Sequence, residues 1–285
     1  MQTHTLATLA VAVAVGSGFC GASTAAQQAS AAPIVTVTMT SSGPTLSGAR
    51  TWRPGAERIA VRSRVADQEA TLLHFRAGYT YAKFVADGRR ARGNSVRARA
   101  ALRRIFAYTV FDGGLDLFQG QAASFTVTVG TGTYYLGEMT TRPQLTPIHV
   151  VGPSLAGRSP STARVTATDS GYLVPAHALP AHGTITIRNS GNRPHRLNFI
   201  PLAPGTTRAQ LGAYLRKTGA RDNAAPPPFA LSGPQFGTAD LSGNQDMQVT
   251  YTLPEGTYAL IDFDEDMTTG RPEALEGMYA IATLG

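Results

Sequence analysis

Four acidic residues near the end of the 285-residue chain have the spacing of a calcium-binding loop. Positions one, three, five and twelve of that loop are occupied by Asp262, Asp264, Asp266 and Glu273. Carboxylate oxygens at these positions suit a hard cation. Against this, Met267 stands at the sixth position, which requires glycine, and a predicted strand precedes the segment where a helix should be. Calcium binding is therefore an alternative hypothesis.

Three histidines offer nitrogen ligands to a transition metal. His177, His182 and His195 could bind one if their loops converge, although the spacing between the first two is loose for a metal pair. A partly buried structural histidine is the simpler interpretation of His195. Met278 is then a core residue that begins the last strand.

Positive charge is concentrated in one part of the chain. Residues 33–152 carry 15 basic and 7 acidic side chains, a net charge of +8, whereas residues 153–285 carry 10 and 11, a net charge of −1. Guanidinium groups bind phosphate or carboxylate through paired hydrogen bonds. An anion-binding surface is therefore predicted at a run of seven arginines: Arg89, Arg90, Arg92, Arg97, Arg99, Arg103 and Arg104.

A solvated helix face is the simpler interpretation of the same run. In this interpretation residues 89–107 form an amphipathic helix whose other sides are arginine. Its apolar side would carry Val96, Ala100, Ile105 and Phe106.

Sequence motifs for nucleophilic or phosphoryl chemistry are missing. The chain has no Gly-x-Ser-x-Gly motif, no phosphate-binding glycine loop and no cysteine after Cys20. We therefore predict that the protein is not an enzyme.

The elements that must position these residues are predicted to be strands in two similar copies. Residues 125–136 match residues 248–260, each an alternating strand, a Gly-Thr-Tyr turn and a further strand. In each copy a glycine, Gly78 or Gly205, precedes a short helical pattern. Apolar residues alternate with period two, which is typical of strands that pack one side against a core. We therefore predict an all-β protein built as a tandem repeat.

The predicted boundary between the copies is a segment rich in Pro, Gly and Ser. It spans residues 153–162 and has the composition of a linker. The N-terminal half is then residues 33–152 and the C-terminal half is residues 163–285. We expect each half to form a separate β-sandwich.

Four segments of the C-terminal half occur in a characteristic order: Asn189-Ser-Gly-Asn-Arg-Pro-His195, Gly256-Thr-Tyr-Ala-Leu-Ile-Asp-Phe263, Gly270-Arg-Pro-Glu273 and Gly277-Met278. They resemble the plastocyanin-like and cupredoxin-like domains of secreted bacterial proteins. The resemblance implies two cupredoxin-like Greek-key β-sandwich domains with short helical insertions, the first more divergent.

The same resemblance implies a degenerate copper site. A blue-copper centre requires two imidazoles, a thiolate and a weak axial thioether. His195 and Met278 match the first imidazole and the thioether, but Asp262 stands at the cysteine position and Glu273 at the second histidine position. We therefore expect no blue-copper centre and no cofactor. A remodelled site, His195 with Asp262 and Glu273, could instead bind calcium, zinc or non-blue copper.

In the N-terminal half the resemblance places the corresponding positions near Gln68, Glu138 and His149. These residues include no thiolate and retain no recognisable ligand set. The degenerate site is thus expected only in the C-terminal half.

The N-terminus is predicted to be a secretory signal peptide, residues 1–31. Its apolar run, Leu6–Phe19, is too short to span a bilayer, and Ala29-Ser-Ala31 offers a cleavage site, although the first five residues lack Lys and Arg. Lipidation at Cys20 would require a small residue where Phe19 stands, so we expect no lipid anchor.

These features favour a secreted, non-catalytic binding or structural protein with a basic surface. Its expected partner is an anionic cell-envelope polymer or another extracellular protein, with no transmembrane span and no specific recognition of nucleic acid. The alternative is an extracellular metal-binding protein that uses His195 with Asp262 and Glu273, or the acidic loop.

Overall fold

A computed structural model describes residues 34–65, 68–93, 95–139, 143–155, 157–158, 160–220, 229–231 and 233–285. The predicted signal peptide and Cys20 lie outside the described residues.

Strands dominate both halves. The N-terminal half contains β1 (Val35–Thr40), β2 (Gly43–Gly48), β3 (Thr51–Trp52), β4 (Gly55–Ser63), β5 (Gln68–Phe75), β6 (Thr109–Leu117), β7 (Ala122–Val129), β8 (Gly132–Glu138) and β9 (Gln144–Val150). The C-terminal half contains β10 (Ala163–Thr168), β11 (Gly171–Leu173), β12 (His182–Asn189), β13 (Asn198–Leu202), β14 (Phe236–Thr238), β15 (Asp246–Thr252), β16 (Gly256–Ile261) and β17 (Tyr279–Leu284). The helices are α1 (Tyr81–Arg90), α2 (Val96–Tyr108), α3 (Arg208–Thr218) and a 3-10 helix (Glu273–Glu276). The all-β prediction with short helices is confirmed.

Two mixed sheets are built from strands of both halves. The first has the order β11-β10-β12-β15-β7-β4-β1-β2 and the second β17-β16-β13-β14-β6-β5-β8-β9-β3. The first strand of each half runs parallel to a neighbour, β1 to β4 and β10 to β12. In both sheets the strands of the two halves follow one another in corresponding order towards the centre, and β3 is an additional edge strand of the N-terminal half. The two sheets share one buried core, as in a β-sandwich.

The halves meet through strand pairing. β15 pairs antiparallel with β7 in the first sheet, and β14 pairs antiparallel with β6 in the second. Each sheet therefore continues from one half into the other, and the expectation of two separate sandwiches is wrong in this respect. Edge strands present unpaired N–H and C=O groups. Pairing four of them at the centre removes those edges.

One hydrophobic core runs through both halves. The alternation predicted from sequence puts Val35, Val37 and Met39 of β1 inside, and β10 is buried in the same pattern. The shared core extends from Trp52 in the N-terminal half to Leu284 in the C-terminal half. Smaller apolar clusters lie beneath the helices.

The arginine run spans two helices. α1 is capped by Thr80 and α2 by Ser95, whose hydroxyls accept from the backbone N–H three residues later. The buried side of α2 consists of Ala98, Ala101 and Ile105. The predicted apolar side was wrong at Val96, which is 75% exposed because it occupies the first turn, away from that side.

α3 is the clearest example of local sequence control. Thr207 and Gln210 form a reciprocal capping box, and Gly219 ends the helix in a left-handed conformation. Among the described residues, the helices are too short or too polar to cross a membrane.

Gly114 of β6 tests the joint between the halves. A Cβ added there would overlap Ala70 O and lie 2.7 Å from Ala239 Cβ. We expect Gly114→Ala to lower the free energy of unfolding by about 3 kcal/mol or more, because the atoms packed against Gly114 leave no room for a methyl group. In the matched control Gly88→Ala, on α1 with open space around it, stability should be unchanged or raised by up to about 1 kcal/mol. Urea unfolding of both variants measures this, and equal stabilities would contradict the tight joint.

Candidate functional site

Asn189 shapes the loop that carries the candidate site. Its amide donates to the carbonyl oxygens of Arg193 (2.6 Å) and Leu241 (2.7 Å), and its Oδ1 accepts from Gly191 N (2.9 Å). His195 exchanges two backbone hydrogen bonds with Leu241. These bonds fix the loop between β12 and β13 and hold the imidazole in the interior.

The four positions compared with copper ligands lie together. Asp262 follows β16, Glu273 begins the 3-10 helix and Met278 precedes β17. Asp262 N donates to Met278 O (3.0 Å), and Met278 N donates to Glu273 O (3.1 Å). These three residues and His195 are all buried.

His195 lies between two carboxylates. Its Nδ1 is 3.3 Å from Asp262 Oδ2, and its Nε2 is 3.3 Å from Asp169 Oδ1. Asp262 also accepts from the backbone N–H groups of Arg196 (3.2 Å) and Asp264 (3.0 Å). Both ring nitrogens therefore face acceptors, an arrangement that suits a doubly protonated imidazolium.

The charges around His195 shift its pKa and those of its partners. Burial lowers the pKa of His195, but the hydrogen bond and charge of Asp262 outweigh it and hold that pKa above 6.5. Burial raises the pKa of Asp262 above 3.8, against the hydrogen bond from His195. Burial also acts to raise the pKa of Asp169, but the N–H groups of Asn192 and Arg193 lower it to about 2.

Arg193 lies among three carboxylates that could otherwise hold a metal ion. Asp266, Glu273 and Glu276 each place one oxygen within 4.8 Å of the others. Arg193 Nη1 contacts Asp266 and lies 3.3 Å from Glu273 Oε1 and 3.7 Å from Glu276 Oε2. Glu273 Oε2 is buried without a hydrogen-bond partner in the described part of the chain. Arg193 and Glu276 were not predicted as site residues, although Arg193 lies in the Asn189–His195 segment.

The predicted calcium-loop carboxylates are divided among three cations. Only Asp266 and Glu273 belong to a common cluster within the described ranges. Asp264 Oδ2 instead accepts from Arg196 Nε at 2.6 Å. The cations that contact the four residues are His195 for Asp262, Arg196 for Asp264, and Arg193 for Asp266 and Glu273.

The three histidines do not converge. His182 begins β12, whereas His195 follows the far end of that strand, roughly 20 Å away at about 3.3 Å per residue. His177 and His182 are exposed and His195 is buried. The three-histidine hypothesis is therefore not supported by the geometry.

Arg196 connects the site to the N-terminal half. Its guanidinium lies 2.6 Å from Asp264, 3.2 Å from Glu69 and 3.6 Å from Asp240. Burial acts to lower the pKa of Arg196, but the neighbouring carboxylates, Asp264 foremost, raise it well above its usual range. Because Glu69 lies on β5, this cation bridges the two halves.

The corresponding positions of the N-terminal half form no similar group. Gln68 begins β5, Glu138 is buried at the end of β8, and His149 is exposed on β9. In the described part of this half, His74 Nδ1 lies 2.7 Å from Asp112 Oδ2. Neither residue was predicted as a site residue from the sequence.

The donors in the C-terminal half do not fit a blue-copper centre. Copper in both redox states is matched by thiolate and imidazole ligands, whereas Asp262 and Glu273 offer hard oxygens. His195 has both ring nitrogens directed at carboxylates. Met278 keeps the thioether of such a site and His195 keeps an imidazole, but both nitrogens of that imidazole are engaged by carboxylates.

All seven arginines of the run are exposed, on α1, α2 and the turn between them. Two of them contact the buried Asp87. Arg104 donates through Nε (3.1 Å) and Nη2 (2.7 Å), and Arg90 Nη1 lies 3.5 Å away. The hydrogen bond from Arg104 is the main reason that the pKa of Asp87 lies below 3.8.

Comparisons with known proteins return solved structures only, since no family model and no curated protein matches. An auracyanin from the photosynthetic bacterium Roseiflexus castenholzii is 15% identical, with 45% of this chain and 99% of that chain covered and a TM-score of 0.27. A copper nitrite reductase from Nitrosomonas europaea is 10% identical, with 88% and 93% covered and a TM-score of 0.23. A multicopper oxidase is 12% identical, with 88% and 87% covered and a TM-score of 0.24. Similarity at this level says nothing about activity.

The raised pKa of His195 makes stability depend on pH. A protonated group with a raised pKa stabilises the fold fully below its unfolded pKa, about 6.5, and loses this contribution as pH rises through the folded value. The wild type should therefore lose more free energy of unfolding between pH 6 and pH 9 than His195→Gln does. His182→Gln, which changes an exposed histidine at the start of β12, should keep the wild-type slope. Identical pH profiles of wild type and His195→Gln would contradict the charged pair.

Proposed function

We propose that the protein is an exported, non-catalytic binding protein of two related copies, with a copper-type site that has become a structural ion-pair cluster. The observation that carries this proposal is that side chains of the protein already occupy the site. His195 contacts Asp262, and Arg193 lies among Asp266, Glu273 and Glu276. A site neutralised by its own cations has little affinity left for a metal ion.

The binding surface in this proposal is the arginine run on α1 and α2. Its seven guanidinium groups are exposed, and the N-terminal half carries a net charge of +8. Such a surface attracts polyanions such as the acidic polymers of a cell envelope, and it attracts nucleic acid only without sequence preference. The predicted signal peptide, residues 1–31, supports a location outside the cytoplasm.

Metal binding is the second candidate function. It is favoured by the 4.8 Å spacing of Asp266, Glu273 and Glu276 and by the unpartnered Glu273 Oε2. Three carboxylates would suit calcium or another hard cation. Arg193 would have to leave before a metal ion could bind.

The first test uses the full chain on an anionic polymer column with a salt gradient. Changing Arg89, Arg92, Arg97, Arg99 and Arg103 to Gln should shift elution to much lower salt, because the attraction depends on these charges and is screened as the Debye length falls from about 10 Å at 0.1 M to about 3 Å at 1 M. The matched control removes five exposed charges from the C-terminal half: Arg164, Arg188, Arg216, Lys217 and Arg271 to Gln. Equal shifts in the two variants would reduce the run to a solvated helix face.

The second test separates the structural cluster from a metal site. Wild-type protein given copper(II) should show no intense visible charge-transfer band, because the site has no thiolate, and should retain no stoichiometric metal after dialysis. Asp262→Cys combined with Glu273→His restores the missing donor types beside His195 and Met278 and should bring such a band. Stoichiometric calcium, zinc or copper in dialysed wild-type protein would favour the metal-binding alternative.

A further inference from the structure

A groove opens on the N-terminal half between α1, the last turn of α2 and the loop after β5. Its volume is about 630 Å³, within the range of small-ligand pockets. The side chains that line it, apart from three small residues, are Tyr79, Lys83, Asp87, Arg90, Arg104 and Tyr108. Three cations and one carboxylate give the groove a net charge of about +2.

Asp87 organises the groove from below. It is 4% exposed and accepts hydrogen bonds from Arg104 Nε and Nη2 and from Tyr79 Oη (3.1 Å). A guanidinium has five N–H donors, and Asp87 uses two of those on Arg104. The carboxylate thus fixes the guanidinium while leaving further donors for a ligand, and Arg104 neutralises its charge.

The remaining cations are held loosely enough to bind a ligand. Lys83 Nζ donates to Gly78 O (2.6 Å), which leaves two of its three N–H donors. The side chain of Arg90 is 65% exposed, and its only contact with Asp87 is at 3.5 Å. Both can therefore exchange water for an anionic group.

A pair of tyrosines gives the groove an apolar wall. Tyr79 and Tyr108 stack with ring centroids 5.5 Å apart and an angle of 22° between the rings. Phe75 supports Tyr79 from behind, edge-on, at 5.6 Å. Tyr108 is 45% exposed, so part of its surface is available for contact with a ligand.

We propose that this groove binds a carboxylated oligosaccharide, that is, a chain of uronic acid units. The anionic partner of the protein is then an acidic polysaccharide of this class. The proposal rests on the proposed function of an anion-binding N-terminal half. Planar guanidinium groups match carboxylates through paired hydrogen bonds, and the C–H face of a sugar ring packs against an aromatic face. A membrane surface would instead require large apolar side chains beside the cations. Among the described residues of α1 and α2, the exposed large apolar side chains are Val96 and Tyr108.

The test measures binding of tetragalacturonate to the full chain by calorimetry, with cellotetraose as the neutral control. Lys83→Gln and Arg90→Gln should each weaken binding by about tenfold, the loss expected for one charge-assisted hydrogen bond. Tyr108→Ser should also weaken it. Arg164→Gln, which changes an exposed arginine on β10 of the C-terminal half, should leave the affinity unchanged.

Several results would overturn the groove while leaving the proposed function intact. One is that tetragalacturonate does not bind, while retention on the anionic polymer column still depends on Arg89, Arg92, Arg97, Arg99 and Arg103. Another is that Tyr108→Ser and the wild type bind tetragalacturonate equally. Equal affinities for tetraglutamate and tetragalacturonate would indicate that the groove binds acidic peptides, and the assignment to a sugar would then be wrong. If both five-charge variants eluted at the same salt concentration as the wild type, the proposed function itself would be refuted.

Discussion

The structure depends on how the protein neutralises carboxylates that it has buried. Three cations of one short segment, Arg193, His195 and Arg196, face carboxylates in the loop after β16, on the 3-10 helix and on β5. A buried ion pair gains little net stability, because desolvation offsets the attraction, yet removal of one partner costs about 3–5 kcal/mol. The segment is therefore hard to change one residue at a time, and the loop, the site and the joint between halves are coupled through it.

Arg196 and Glu69 show how that coupling crosses the molecule. Arg196 lies two residues before β13, and Glu69 is the second residue of β5, the corresponding strand of the N-terminal half. Their opposite charges meet at 3.2 Å between the two halves. Asp240 shares the same guanidinium, and burial raises its pKa well above 3.8 even though Arg196 opposes the rise. A strand-paired joint with a charged bridge favours one relative arrangement of the halves over others.

The two halves share one strand arrangement but place their charged residues differently. The C-terminal half contains a buried cluster of paired charges, whereas the N-terminal half presents a run of seven exposed arginines. An internal cluster contributes to a single folded arrangement, and an external one is available to a partner. Asp87 combines both situations: it is buried, and it orients cations that line an open groove.

The all-β class and the period-two burial of strands such as β1 could be predicted from the sequence, because local spacing sets which side of a strand is apolar and where a turn can form. The placement of His195, Asp262, Glu273 and Met278 in one site was instead implied by the resemblance of four segments to a known family. Only the tertiary structure decided that Arg193 lies among the carboxylates at 266, 273 and 276, that Arg196 reaches Glu69, and that the sheets continue through β6–β14 and β7–β15. Ion pairs between residues 73 or more positions apart and edge-to-edge strand pairing leave no period in the sequence, because they depend on shape and charge in the assembled sheets.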